Sequence, residues 1–580
     1  MTKIVELNIK NYRGIRNLSL QFDRDESLIC LIGRGDSGKS TILSAISSVL
    51  SPKWNSTFTD TDFYNCNIAD EIEIVASVVD FPEALLSDRK YGLMIRGFHT
   101  YDKTITDDVS VEDQGDHLVP LLSIKLTINK SLEPLWTVFN GREQEDITIT
   151  ASDRAKLNCY LISDYVDSHF SWNKGGPLYS LLKSEGPDAD ADTGEGNIVL
   201  EHLRNAKNEI DKNTFDNLDA VTALITTQAA ELGLDILKAS TTLDSKELII
   251  KDAKVSLHEG SVPFRLKGKG SKRLASIAIQ SVLVRHGGIM LIDELEQGLE
   301  PDRIKQAVRS LGDHSAGQIF MTTHSRDAIT ELGAQPLLFL LKNKYTDEIE
   351  TRSLNLSNED LQKAVRACPE AFFSKKVIIC EGATEVGICM AIDTWRKSKS
   401  MPLFSFRDCS FIDGTGNTIV QRVDEINGVG LDTALFCDSD LEVINNKKES
   451  WKRDGVAIFD CDNGLCLEQQ VFKDMPWEGV QELLQYARDK NRESFLSAFP
   501  DVKNTKISEW KDSIELRQQI ISIFKPKKKT DSCGKGWFKA IHHGVFIGQT
   551  IFKHYEKLEQ KSGLKVAIKG LNDWVDEVWK

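Results

Sequence analysis

Eight consecutive residues, Gly33-Arg34-Gly35-Asp36-Ser37-Gly38-Lys39-Ser40, constrain the fold of this chain more than any other stretch. They follow the apolar run SLICLI and open the amphipathic run STILSAISSVL, so a buried strand hands over to a helix through a glycine-rich loop. The glycines let backbone N–H groups close around a phosphate, and the helix N-terminus adds a favourable dipole. Gly33, Arg34, Gly35, Asp36, Ser37, Gly38, Lys39, Ser40 and Thr41 are therefore expected to bind ATP. Lys39 would reach the β and γ phosphates, and the Ser40 hydroxyl would hold Mg²⁺. Two further strands, KIVELNIKNY and LSLQF, are read before the loop, and alternating strands follow at 71–81 and 121–130.

A second element belongs with the loop. The run GGIMLIDELEQGLEP (287–301) ends an apolar strand on Asp293 and Glu294. An aspartate there can ligate Mg²⁺, and the following glutamate can accept a proton from attacking water. The strand IFMTT then presents His324 where it can sense a γ-phosphate. Between these parts, 184–196 reads as an acidic surface loop and 197–235 carries helical periodicity. The expected organisation is an N-terminal ATPase lobe at 1–165, a helical insertion or dimerisation segment at 166–250 and a second ATPase lobe at 251–350. A linker at 351–374 and a second α/β domain at 375–580 complete it.

That last region opens on KKVIICEGATEV. Glu381 ends the strand, Gly382 permits close backbone approach, and Glu385 lies four residues on, in the first turn of a helix. A later strand, ALFC, ends on Asp438 and Asp440, whose i and i+2 spacing sends both carboxylates the same way. Four acids gathered at neighbouring strand ends repel one another unless cations lie between them. All-oxygen ligands favour Mg²⁺ or Mn²⁺, and two such ions are suited to in-line phosphodiester cleavage.

At 580 residues the chain is too long for one core. No apolar run reaches the length of a membrane span, and MTKIVELNIKNYRGI lacks the regions of a signal peptide. Eleven scattered cysteines suggest reduced thiols, and a cytoplasmic location is expected. The net charge of −15 constrains solubility more than local binding, and the basic run FKPKKKTDSCGKGWFK (524–539) is a candidate contact for nucleic acid.

The loop, the Asp-Glu strand end, TTHS and the NYRGI turn at 12–16 resemble the ABC ATPase heads of the SMC and RecF-like group. In such heads two subunits sandwich ATP, each offering a signature loop to the other. LKGKGSKRLASIAIQSVL (266–283) is the counterpart here, with Gly268, Gly270 and Ser271 displaced from the usual pattern. The EGATE and DSD motifs resemble a Toprim domain. An ABC head followed by Toprim is similar to the OLD (overcoming lysogenisation defect) nucleases, which include Gabija-type and retron-associated phage-defence effectors.

The resemblance implies an α/β protein with an ABC-type head, an inserted helical segment and a Toprim domain with a parallel sheet. It implies a metal site of Glu381, Glu385, Asp438 and Asp440, joined by a later acid and a lysine. Glu468 and Lys535 match these, with acids at 460 and 462 and lysines at 527–529 and 539 as rivals. Implied partners are DNA, most simply double-stranded, a second copy joined through the ATPase heads, and a defence partner such as a helicase or a retron reverse transcriptase with its RNA–DNA. A different class remains open: an ATP-driven DNA clamp or repair scaffold that binds without cutting. Topoisomerase chemistry needs a tyrosine nucleophile, and nothing in the sequence marks Tyr486 or Tyr555 as one.

Overall fold

The computed structural model describes residues 2–107, 117–170, 176–178, 180, 181, 205, 209, 257–259, 261–312, 317–343, 346–354, 359–415, 418–462, 464–500, 506–524 and 537–577. Most of the expected helical insertion at 166–250 lies outside these residues, as does most of the basic run at 524–539.

Among the described residues, the first half is built on two large sheets. In the antiparallel one, Lys3–Tyr12 lies between Ile15–Gln21 and Ile72–Val79, and Leu118–Ile128 follows on the far side of Ile72–Val79. Alternation along these strands aims Leu7, Ile9, Ile74 and Leu122 at the helix Lys39–Val49. That helix returns Ile42, Leu43, Ile46 and Val49 to the same core and meets the second sheet through Phe320 and Leu291.

The second sheet has the spatial order Cys159–Ile162, Ile289–Ile292, Gln318–Thr322, Leu28–Ile32, Leu337–Lys342, Ile349–Ser353. Its first five strands are parallel and the last is antiparallel. The strand carrying the glycine-rich loop is thus central. The strand ending at Thr322 lies between it and the strand ending on Asp293.

The chain then builds a four-stranded parallel sheet in the order Cys409–Asp413, Lys376–Cys380, Asp432–Cys437, Ala457–Asp460. Cys380 pairs with Phe436, so Glu381 and Asp438 emerge side by side at one sheet edge. Residues 351–374, expected as a linker, end the ATPase sheet and form the helix Glu359–Ala367 and the turn Pro369–Phe373. Leu361, Ala364, Val365 and Phe372 are buried there in one apolar cluster that reaches from Cys30 and Met290 to Val377, Leu435 and Trp451.

Helix Ala383–Ser398, which follows Lys376–Cys380 of the four-stranded sheet, packs on Ile541–Lys553 at backbone distance. A Cβ added to Gly544 would stand 2.1 Å from the Thr384 carbonyl, and one on Gly387 would stand 2.2 Å from that of Ile541. Only hydrogen fits at either position.

Candidate functional sites

The phosphate loop owes its shape to unusual backbone. Gly33 and Gly38 take φ of 144° and 95°, and Asp36 takes 61°. A Cβ on Gly33 would also meet the Leu340 carbonyl at 2.6 Å, so this position accepts no side chain. Lys39 is buried and donates to the carbonyls of Gly33 and Arg34 at 2.8 and 2.7 Å. Burial pushes its ammonium down to about 8, against the opposing pull of Asp293, Asp36, Glu294 and Glu296.

Ser40 Oγ donates to Asp293 Oδ1 at 2.9 Å, and Thr322 Oγ1 donates to the same oxygen at 2.7 Å. The loop and the acidic strand end therefore meet, with Asp293 placed between them. Glu294 follows in the left-handed region at φ 52° and lies exposed. His324 lies beyond Thr323, its ring titration lowered by partial burial and by the Lys39 charge. The displaced glycines Gly268 and Gly270 flank the start of helix Lys269–Arg285.

Two residues outside the motifs organise this site. Glu296 accepts from Thr323 Oγ1 and from the His324 N–H, both at 2.6 Å, and so fixes the histidine-bearing turn. Arg273, buried on the helix Lys269–Arg285, donates to the carbonyls of Asp293 and Glu294. The sequence offers a weak signal for Glu296, its place two residues after the acidic pair. It offers none for Arg273, whose partners lie a whole connection away.

The second cluster sits at the edge of the four-stranded sheet. Carboxylate oxygens of Glu381, Asp438 and Asp440 all lie within 4.8 Å of one another. Glu381 Oε2 accepts from the Asp438 N–H at 2.8 Å, and Asp438 Oδ1 accepts from the Leu467 N–H, at the start of helix Leu467–Asp474, at 2.7 Å. Glu385 is buried and accepts from the Gly382 N–H at 3.0 Å, closing the first turn of its helix. Glu468 is 4 % exposed, and its Oε2 finds no hydrogen-bond partner among the described residues.

Electrostatics bind the five acids into one group. Burial, then repulsion from neighbouring carboxylates, raises Glu385 and Asp438 well above the usual range. Burial also raises Glu381, which its bond from Asp438 N–H partly offsets. A buried carboxylate oxygen without a donor is costly, and several gathered together are costlier. Oxygen donors, convergence and the bare Glu468 oxygen fit a hard divalent cation.

Among the described residues, the lysine that reaches this cluster is Lys539, with Nζ 3.4 Å from Glu468 Oε1. Burial alone would lower its titration, but Glu468, Asp438 and Glu385 outweigh that and raise it. Lys535 lies outside the described residues. Of the rival acids, Asp460 pairs with Lys448 and Asp462 with Lys473, so both are engaged elsewhere.

The phosphate loop, its helix and the acidic strand end are those of an ATP-binding ATPase domain, an enzyme at that level, and AAA ATPases typically use Mg²⁺. Residues 2–172 match the family model described as "AAA ATPase domain". Residues 187–331 match one described as "AAA domain, putative AbiEii toxin, Type IV TA system". No curated protein matches the chain.

Solved structures with partial similarity include an SMC head bound to the C-winged helix domain of ScpA. It is 16% identical with a TM-score of 0.33, over 60% of this chain and 98% of that one. An SMC head with an extended coiled coil, bound to the C-terminal domain of ScpA derived from Pyrococcus furiosus, is 12% identical. Its TM-score is 0.31, over 63% and 99% of the two chains. The SMC head domain from Thermotoga maritima is 14% identical with a TM-score of 0.27, over 60% and 98%. No helix among the described residues is long and apolar enough to cross a membrane.

Proposed function

We propose that this chain is an ATP-regulated, divalent-metal-dependent DNA endonuclease of the OLD type, its four-stranded sheet forming a Toprim domain. One observation carries the reading: three carboxylates converge within 4.8 Å beside a buried Glu468 whose second oxygen has no partner among the described residues. Glu381, Asp438 and Asp440 would hold one Mg²⁺ or Mn²⁺, and Glu385 and Glu468 would extend the site. Such cations supply Lewis-acid polarisation of water and of the phosphodiester. Lys539, held charged by the acids around it, stands ready to meet negative charge that builds on the phosphate.

In the ATPase half, Ser40 and Asp293 would hold the Mg²⁺ of ATP, Lys39 its phosphates, and Glu294 the attacking water. His324, on the turn that Glu296 fixes, would read the γ-phosphate. Pairing of two heads around ATP, a role in phage defence and a helicase or retron partner belong to the same proposal.

Plasmid nicking tests it. With Mg²⁺ or Mn²⁺ the wild type is expected to convert supercoiled DNA to open circles. Glu381→Ala and Asp438→Ala are expected to nick at least about 100-fold more slowly while retaining ATP hydrolysis. Equal nicking by all three proteins removes the assigned site. Salt-sensitive DNA binding with no cutting under either metal would instead favour a DNA clamp or repair scaffold.

A further inference from the structure

Ser439 stands in sequence between two of the proposed metal ligands, and its hydroxyl is bonded to other elements of the fold. Each polar atom of Ser439 is engaged. Its N–H donates to the Leu465 carbonyl at 3.0 Å, and its carbonyl accepts from Asn445 Nδ2 at 2.9 Å. Its Oγ donates to the Cys461 carbonyl at 2.7 Å and accepts from Lys448 Nζ at 3.0 Å.

Lys448 is the unexpected member. It is 8 % exposed, and Nζ also donates to Asp460 Oδ2 at 2.7 Å. An ammonium taken out of water costs several kcal/mol unless its partners are fixed, so packing alone would favour an apolar residue here. What the lysine does is join two strand ends. One partner is the serine that follows Asp432–Cys437, and the other ends Ala457–Asp460.

We propose that Lys448 is a positioning residue for the carboxylate site, acting through Ser439 to hold the Asp438-Ser439-Asp440 backbone so that both flanking acids converge on one cation. The inference rests on the metal-nuclease reading and adds a residue to it. Outer-shell partners of metal ligands commonly govern affinity by 10–100-fold, because they remove the freedom the ligands would otherwise lose on binding.

The test is direct Mn²⁺ titration of the full chain without nucleotide, followed by electron paramagnetic resonance. Asp438→Asn sets the background. Lys448→Met is expected to weaken Mn²⁺ binding about 10-fold, and Lys448→Arg to recover part of it. Nicking by Lys448→Met should need correspondingly more Mn²⁺ for half-maximal rate yet approach the wild-type rate at saturation, with ATP hydrolysis unchanged.

If Lys448→Met does not fold, Ser439→Ala carries the test, since it leaves the Lys448–Asp460 pair intact, and a several-fold loss of Mn²⁺ affinity is expected. Wild-type Mn²⁺ affinity in the folded variants overturns the role of Lys448 while leaving the nuclease reading standing. A wild type that binds no Mn²⁺ above the Asp438→Asn background overturns both.

Discussion

His169 is buried with Nδ1 2.6 Å from Ser276 Oγ, on the helix that also carries Arg273 to the acidic strand end. Burial, aided by the charges of Lys53 and Arg273, pushes the imidazole down to about 4. Between that value and the ordinary one near 6.5, the unfolded chain binds a proton that the folded chain refuses. Stability supplied by neutral His169 is therefore complete above pH 6.5 and is lost as pH falls through 4, by about 3 kcal/mol in all. His169→Gln keeps a polar side chain but cannot titrate. Urea midpoints at pH 7.5 and 4.5 are expected to show the wild type ahead at the higher pH and the gap closing by about 2 kcal/mol at the lower. A constant gap would mean that the histidine is accessible to protons in the folded chain.

At the scale of elements, the pair Ala383–Ser398 and Ile541–Lys553 matters most for the carboxylate site. One helix presents Glu385, and Lys539 lies just before the other. Thr384 Oγ1 donates to the Phe538 carbonyl at 2.8 Å, fixing the approach of the lysine. Backbone contact at Gly387 and Gly544 sets the spacing, which no larger residue permits. Gly544→Val is expected to push the helices apart and move Lys539 off Glu468. Nicking should fall at least about 10-fold while ATP hydrolysis stays near the wild-type rate. Gly428→Ala is the control, because a Cβ there meets nothing within 4 Å. Equal effects of the two changes would show that the helix spacing does not govern the site.

Across the whole molecule, the ATPase half and the four-stranded sheet are joined by more than a covalent connection. Arg34, inside the phosphate loop, pairs with Asp408 at 2.6 Å and donates to the Ser405 carbonyl at 2.8 Å. The Asp408 carbonyl accepts from the N–H groups of Lys375 and Lys376, at the start of the strand that ends beside Glu381. Arg352 donates to the Val429 carbonyl at 2.9 Å, and His324 lies 6.1 Å from the Phe373 ring. A nucleotide that reshapes the loop would act on a side chain already bound to the other half, and coupling requires that this contact differ between the two states. Asp408 has φ 57°, which asparagine tolerates, so Asp408→Asn removes the charge without straining the turn. ATP binding should persist in this variant. The ratio of nicking rates with and without ATP is expected to move from its wild-type value towards one, and an unchanged ratio would place the coupling elsewhere.

What the sequence determined by itself is local. Residues 33–38 form a loop because closely spaced glycines follow a strand, and Lys39 and Ser40 open the helix. The strands at 289–292, 318–322, 376–380 and 432–437 announce themselves as short apolar runs with polar ends. What the tertiary structure decided is which distant side chains meet. Glu296 and Arg273 look ordinary in the chain; the strand Gln318–Thr322 brings Thr323 and His324 to the first, and the packing of the helix Lys269–Arg285 against the acidic strand end gives the second its partners. The stretch 351–374 looks polar enough to be a connection, yet the helix within it is amphipathic and its apolar face fills the space between two sheets. Lys448 and Lys539 are two of many lysines until folding buries the first beside fixed acceptors and brings the second to Glu468. Spacing along a chain settles which groups share a strand or a helix turn. Convergence across elements depends on the packing of whole surfaces, which no short window of residues contains.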